Sequence, residues 1–363
     1  MKNSSNASRK SSPGSQIDSI DLRKSGMATM HDVADFAKVS RATVSKYFNG
    51  SSSLRPDTRA RIEHACRVLA YVPDPHAVSL VKGKSNLIGV ILPVISEPFF
   101  AEALRVIEAE ATAIGMDLVI QCSYNSPAGE ASALRALRSM KVAGVVLTAV
   151  AAPDNIDLLR RLEKEIPIVY LDSYVHADCN YVMNDNRQST SLLTRYLISH
   201  GHKPAFLGAP PVASPSPQER LSGYLEVMRE ANLPPCVIAP EETIKSWDFE
   251  KYALQQVLNW LGRGTWKADG ITALVCGTDR LAIGAMTALR RFGLIPGKDL
   301  AIVGHDDLPI CEYLYPPLTT FKQDIASIGR AAIECLHHQI NATEILPLYQ
   351  RKITGNLIIR DSA

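Results

Sequence analysis

The chain has 363 residues, 46% of them apolar and 21% charged, the profile of a soluble globular protein long enough for more than one domain. Its formal net charge of +2 hides a split: residues 1–85 carry 14 Lys and Arg against 7 Asp and Glu, and the remainder carries 25 against 30. A basic N-terminal piece on an acidic body suits a nucleic-acid-binding module joined to a sensor, and equally a solvated basic tail. The seven cysteines (66, 122, 179, 236, 276, 311 and 335) show no CxxC spacing, so neither zinc nor a redox pair is indicated, and buried thiols in a reducing cytosol are expected. Residues 1–27, rich in Ser, Asn, Lys and Arg, lack the apolar stretch of a signal peptide and read as a disordered arm. No apolar run reaches the roughly 18 residues of a membrane span.

The first predicted helix follows Thr29, which with Asp32 has the capping-box pattern ahead of Val33, Ala34 and Ala37. Ser40 is placed to cap a second helix over 41–48, with Val44, Tyr47 and Phe48 turned inward and Asn49-Gly50 ending it. A third starts with Pro56 in its first position and runs through Ile62, Ala65, Cys66 and Leu69. Two short helices joined by Lys38-Val39-Ser40 and braced by a third make a helix-turn-helix over 28–73. Residues 74–85 read as a linker in which Asp74-Pro75 opens a short helix through Leu80.

Beyond residue 86 strand and helix alternate. Short apolar runs at 88–93, 117–121, 144–148, 168–172, 205–207, 273–275 and 301–303 have the character of buried parallel strands. Amphipathic stretches at 101–114, 134–140, 218–231, 248–261 and 279–291 separate them. The fold class expected is α/β: an all-α headpiece followed by a core of two doubly wound parallel sheets. The first subdomain would hold 86–185 and 325–353, the second 186–324 and 354–363.

Met30-His-Asp-Val-Ala-Asp-Phe-Ala-Lys-Val-Ser-Arg-Ala-Thr-Val-Ser-Lys46 resembles the headpiece of the lactose-repressor (LacI) family of bacterial regulators. The likeness continues in order through Tyr71-Val-Pro73, Leu80, Leu87-Ile-Gly-Val90, Pro98-Phe99-Phe100, Ser199-His-Gly-His202, Arg220 and Gly223-Tyr224. It closes with Gly304-His-Asp-Asp307 and Pro317-Leu-Thr-Thr320. The resemblance implies that the second helix enters the major groove. There Arg41 would meet guanine, Ala42 a thymine methyl, and Lys46 a further base. Thr43, Ser45, Asn49 and Thr58 would hold phosphates. It also implies a hinge helix over 74–85 that folds on the operator, two of them from a dimer lying in the minor groove with Leu80 as a wedge. Where many members have Ala-Arg-Ser-Leu this chain has Ala77-Val78-Ser79-Leu80; His76 either replaces the lost phosphate contact or has no role.

Residues 86–363 look like the type I periplasmic-binding-protein fold, whose ligand lies beyond the carboxyl ends of the strands. The implied effector contacts are Phe99, Phe100, Thr148, Asp172, Thr278 and Asp306, with Arg220 opening a helix and Trp247 stacked on the ligand. For Trp247 and the two Phe residues ordinary core packing is the competing reading. Asp172, Asp306 and Arg220 together could grip a polyol ring. Purine-responsive members carry an aromatic side chain at the position of Val275, and valine cannot stack, which disfavours a nucleobase. Of the two acids at 306 and 307 the first is assigned to the cleft and the second to the following loop.

Catalysis is not expected: there is no GxGxxG, Walker or GxSxG pattern, and neither His200/His202 nor His337-His338 makes a ligand pair. The reading is a sequence-specific transcription repressor with no cofactor. Its partners are a pseudo-palindromic double-stranded operator, a sugar or sugar derivative, and a second copy of itself. A Leu-heptad tetramerisation tail has no counterpart. The expected location is the cytoplasm, at the nucleoid. The alternative is a regulator with no small-molecule effector, or with a protein co-repressor.

Overall fold

The computed structural model describes residues 28–48, 53–72, 85–150, 153–209, 214–238 and 248–363. The expected N-terminal arm, Asn49, the hinge segment with His76 and Leu80, and Trp247 lie outside the described residues. The chain divides into two compact units, 1–83 and 84–363.

In the first unit, helices α1 (Met30–Phe36), α2 (Arg41–Phe48) and α3 (Pro56–Val68) follow the local signals closely. The capping box forms: Asp32 N–H donates to Thr29 Oγ1 at 3.3 Å, and Thr29 N–H donates to Asp32 Oδ2 at 2.7 Å. Thr43 N–H donates to Ser40 Oγ at 3.2 Å at the start of α2, and Pro56 takes the first position of α3. Between α1 and α2 the chain reverses at Lys38, held at φ +52°, and Val39 N–H returns to Ala34 O at 3.0 Å. Val33, Ala34, Val44, Ile62 and Ala65 fill the small core, while Tyr47 and Phe48 stay half-buried at its edge.

The second unit contains two six-stranded sheets. Sheet one joins β1 (Leu87–Leu92), β2 (Asp117–Cys122), β3 (Gly144–Leu147), β4 (Ile168–Leu171), β5 (Asn180–Asn184) and β11 (Gln350–Ile353) in the order β11-β5-β4-β3-β1-β2, all parallel. Sheet two joins β6 (Pro204–Leu207), β7 (Val237–Ile238), β8 (Ala273–Cys276), β9 (Ala301–Asp306), β10 (Thr319–Lys322) and β12 (Asn356–Ile358) in the order β12-β10-β9-β8-β6-β7. Only β12 runs antiparallel to its neighbour.

Each sheet is covered on both faces, so its central strands read as continuous apolar runs. On sheet one, α4 (Pro98–Ala113) and α12 (Ile325–Asn341) cover one face and α5 (Pro127–Ser139) and α6 (Ile156–Leu162) the other. On sheet two, α7 (Asn186–Ser199) and α8 (Pro215–Glu230) face α9 (Phe249–Arg263) and α11 (Asp279–Arg291), with the short α10 (Thr265–Ala268) beside α9. The chain passes between the sheets three times: between β5 and α7, between β10 and α12, and between β11 and β12. At the last passage a side chain on Gly355 would overlap the Lys322 carbonyl of the second, so two passages lie in backbone contact there.

All seven cysteines are unpaired; Cys179, Cys276, Cys311 and Cys335 are buried, whereas Cys66, Cys122 and Cys236 are only half-buried. No helix of the described residues is long and apolar enough to cross a membrane.

Candidate functional site

On the headpiece, Arg41, Ala42 and Lys46 are exposed on one short helix, the arrangement needed for side chains that reach base edges. Thr43, Ser45 and Thr58 are half-buried. The Thr43 hydroxyl shares a hydrogen bond of 2.8 Å with Ser40 Oγ, so it belongs to the helix cap as well as to the polar face. Behind that face Tyr47 OH donates to Glu63 at 3.2 Å, and the Arg59 guanidinium lies 5.5 Å from the Tyr47 ring centre. These contacts tie α2 to α3.

In the core, Asp172, Arg220 and Asp306 come together from opposite sides of the cleft. Asp172 follows β4 of sheet one and adopts φ +50°. Ser216 of α8 donates to its backbone O at 2.9 Å, a hydroxyl also 3.0 Å from its Oδ1. Burial pushes the Asp172 carboxyl up to about 6, against the attraction of the Arg220 guanidinium. Arg220 does not open its helix, as the sequence suggested. Pro215 does, and Arg220 sits in the second turn. Its Nε donates to Asn186 Oδ1 at 2.7 Å and its Nη1 to Gly277 O at 2.6 Å, with Nη2 4.0 Å from Asp306 Oδ1.

Asp306 ends β9 at φ +123°. Its Oδ1 accepts from Gln323 Nε2 at 2.7 Å and lies 2.9 Å from His305 Nδ1. His305 is buried, its Nε2 2.9 Å from Ser189 Oγ on α7. Burial and the Arg220 charge lower its pKa to about 4, so the ring is neutral near pH 7, with Nδ1–H donating to the carboxylate. A cavity of 610 Å³ opens beside Asp306, lined among others by Phe99, Leu308, Gln323 and Asn356.

Asp279, fully buried at the start of α11, accepts from Thr320 Oγ1 at 2.5 Å and Leu308 N–H at 2.8 Å. Burial, with Asp306 nearby, raises its pKa to about 7. A Cβ on Gly304 would collide with the Asp279 carboxylate, which accounts for glycine there. Asp307 also lines that cavity, but its carboxylate is engaged outside the cluster, pairing with Arg360 at 2.8 Å and Lys322 at 3.6 Å.

Several expectations change. Thr278 caps α11 by accepting from Leu281 N–H at 3.2 Å, a structural role beside the ligand contact expected of it. Phe99 and Phe100 are both buried in the core of sheet one, edge to face at 5.3 Å, and Phe99 alone of the two lines the cavity. Val275 is fully buried in the core of sheet two against α7 and α8, so its side chain offers no exposed surface to a base. Thr148 Oγ1 is buried with no hydrogen-bond partner, as is Gln323 Oε1.

The sequence reading missed His305, inside the recognised Gly304–Asp307 motif, Ser216 and Gln323 close to recognised motifs, and Asn186 and Ser189, which adjoin none. It also missed a second cluster. Arg280 donates from Nη1 to Glu97 Oε2 at 2.6 Å, and from Nε and Nη2 to the two Glu250 oxygens, each at 2.6 Å. Burial raises the Glu97 pKa to about 7 against the pull of Arg280. The available signal was position: Glu97 precedes Pro98-Phe99-Phe100, and Arg280 follows Thr278-Asp279.

The model of the lacI family of bacterial regulatory proteins matches residues 29–74, and that of the periplasmic binding protein-like domain matches 194–363. The chain is 32% identical to the ribose operon repressor of Halalkalibacterium halodurans, over 93% of this chain and 97% of that one. It is 30% identical to the HTH-type transcriptional repressor PurR of Klebsiella pneumoniae, over 86% and 91%. Among solved structures, the lac repressor dimer bound to operator and the anti-inducer ONPF aligns with a TM-score of 0.79 and 25% identity, covering 93% of this chain and 99% of that one. A putative ribose operon repressor from Burkholderia thailandensis aligns at 0.64 and 28%, covering 76% and 99%. This chain belongs to the LacI family of bacterial regulatory proteins, DNA-binding transcription regulators rather than enzymes.

Proposed function

We propose that this protein is a cytoplasmic homodimeric repressor whose α2 reads a pseudo-palindromic operator and whose grip on it depends on an uncharged sugar in the core cleft. The observation that carries the reading is the convergence of Asp172 from one sheet with Arg220 and Asp306 from the other. Carboxylates accept from sugar hydroxyls, the guanidinium donates to ring or hydroxyl oxygens, and the buried Thr148 hydroxyl and Gln323 carbonyl lack protein partners. Two carboxylates against one guanidinium would repel a phosphate or a sugar acid. The similarity to a ribose operon repressor and to a dimeric, operator-bound lac repressor supports the same reading.

The experiment has two steps. Binding-site selection with the full-length protein defines the operator, and operator affinity is then measured against D-ribose, other neutral aldoses, D-ribose 5-phosphate, and purine bases. A neutral sugar should change operator affinity at least tenfold, a coupling of about 1.4 kcal/mol. A response only to the phosphate or the purines, or to nothing in the panel, would overturn the assignment of the effector.

A further inference from the structure

The contacts that bridge the cleft are spread along sheet one. The chain passages lie at the β5 and β11 edge. Ser216 reaches Asp172 over β4, the next strand, and Arg280 reaches Glu97 over β1, two strands further on. At a strand spacing of about 4.8 Å, β1 stands roughly 14 Å from β5. If the two halves rotate about the passages, the contact farthest from them separates most.

That outer contact is built to hold. The Arg280 guanidinium is fixed on the sheet-two side by both Glu250 oxygens and by the Phe249 ring, 5.2 Å away. Its remaining edge presents Nη1 to Glu97, which is only 6% exposed and stands at the N-cap of α4 without capping that helix through its side chain. Glu97 is therefore a nearly buried carboxylate whose hydrogen-bonded partner belongs to the opposite wall. Removing that partner would leave a buried carboxyl beside Asp306 with no cation to hold it across the cleft.

We propose that Glu97 and Arg280 are positioning residues of the cleft: an ionic strut, anchored by Glu250, that holds the walls at the spacing where Asp172, Arg220 and Asp306 share one ligand before any ligand arrives. The strut itself needs no effector; only its purpose rests on the function proposed above.

The test is therefore made without ligand. Amide hydrogen exchange is measured by mass spectrometry on full-length, effector-free protein, comparing wild type with Glu97→Gln, Arg280→Met and Glu250→Gln. Opening of the walls should raise exchange roughly tenfold, about 1.4 kcal/mol of lost closure, in the segments around Asp172 and Ser216, which carry none of the three substitutions. Arg280→Met should have the largest effect and Glu250→Gln the smallest, with the interiors of β1 and β8 unchanged as proof of folding. Changes confined to the substituted residues' own segments, or no change at all, would overturn the strut and leave the effector assignment to be judged by its own panel.

Discussion

Arg41, Ala42 and Lys46 lie on one eight-residue helix and point outward from a core made by their near neighbours. Asp172, Arg220 and Asp306 are carried by different sheets, and their immediate partners lie far off in sequence: Arg220 with Gly277 across 57 residues, His305 with Ser189 across 116. In the headpiece a substitution on the polar face removes one contact and leaves the fold alone. In the cleft the groups that would meet a ligand also bond one another, so function and stability cannot be altered separately. The exception is where a neighbour such as Asp307 has been turned out of the cluster.

The largest expected effect tests how far the cleft is built into the fold. Gly304→Ala sets a methyl group against the Asp279 carboxylate, and overpacking there should cost about 3 kcal/mol or more, read as a drop in the melting temperature of the core. A melting temperature unchanged within error would mean that Asp279 moves freely. Next, Asp306→Asn should weaken the effector identified above by about 2–3 kcal/mol, since an amide offers one acceptor oxygen where two stood. Asp307→Asn should keep that affinity and lose instead about 1 kcal/mol of stability with its Arg360 pair. Calorimetric titration of both variants decides the order, and equal losses of affinity would refute the division of labour between the two acids.

Arg41→Ala addresses the other side of the comparison. It should cost about 1–3 kcal/mol on the selected operator and relax preference at one base per half-site, with the melting temperature unchanged. Recovery of the same consensus by the variant would remove Arg41 from the base-reading face.

A further effect is one of pH. His305 titrates near 6.5 in the unfolded chain and near 4 when folded, so the stability it confers is complete above 6.5 and is lost as pH falls towards 4. Asp172, Glu97 and Asp279 are shifted upward and act in the opposite sense: burying them costs least in acid and more as pH rises towards their folded values. Wild type should therefore exceed His305→Gln in melting temperature by more at pH 7 than at pH 5. A gap independent of pH would show that the ring is not held neutral.

The central strands were legible because both faces of each sheet are covered and their runs are apolar throughout. The edges were not. In β11, Gln350–Ile353 exposes three of its four residues, and in β5 Asn180–Asn184 mixes asparagine with tyrosine and methionine. β9 runs on to Asp306 although its last residues are polar, because His305 and Asp306 are buried as hydrogen-bonded groups, a solution that periodicity cannot reveal. In the candidate site the charged groups were named and their hydrogen-bonding partners were not, even His305 inside the Gly304–Asp307 motif. Asn186, Ser189 and Gln323 lie at or just beyond the first two passages between the sheets, and only the folded chain brings them to the cluster. Thr278 stands at a strand end, a place that suggests a ligand contact and suits a helix cap as well, and only the folded chain reveals the cap.

The three passages between the sheets also bear on how the protein is made. Sheet one owes its β11 edge strand and the α12 side of its core to residues 325–353, which leave the ribosome after nearly all of sheet two. Until then Val146, Val169, Leu171 and Val182 lack the α12 side chains that cover them in the finished core. At about 5–20 residues per second, the interval between β5 and α12 lasts roughly 10–30 s. Through that interval a nascent chain presents a half-covered apolar sheet, so biosynthesis rather than final stability sets its greatest exposure to aggregation and chaperone capture.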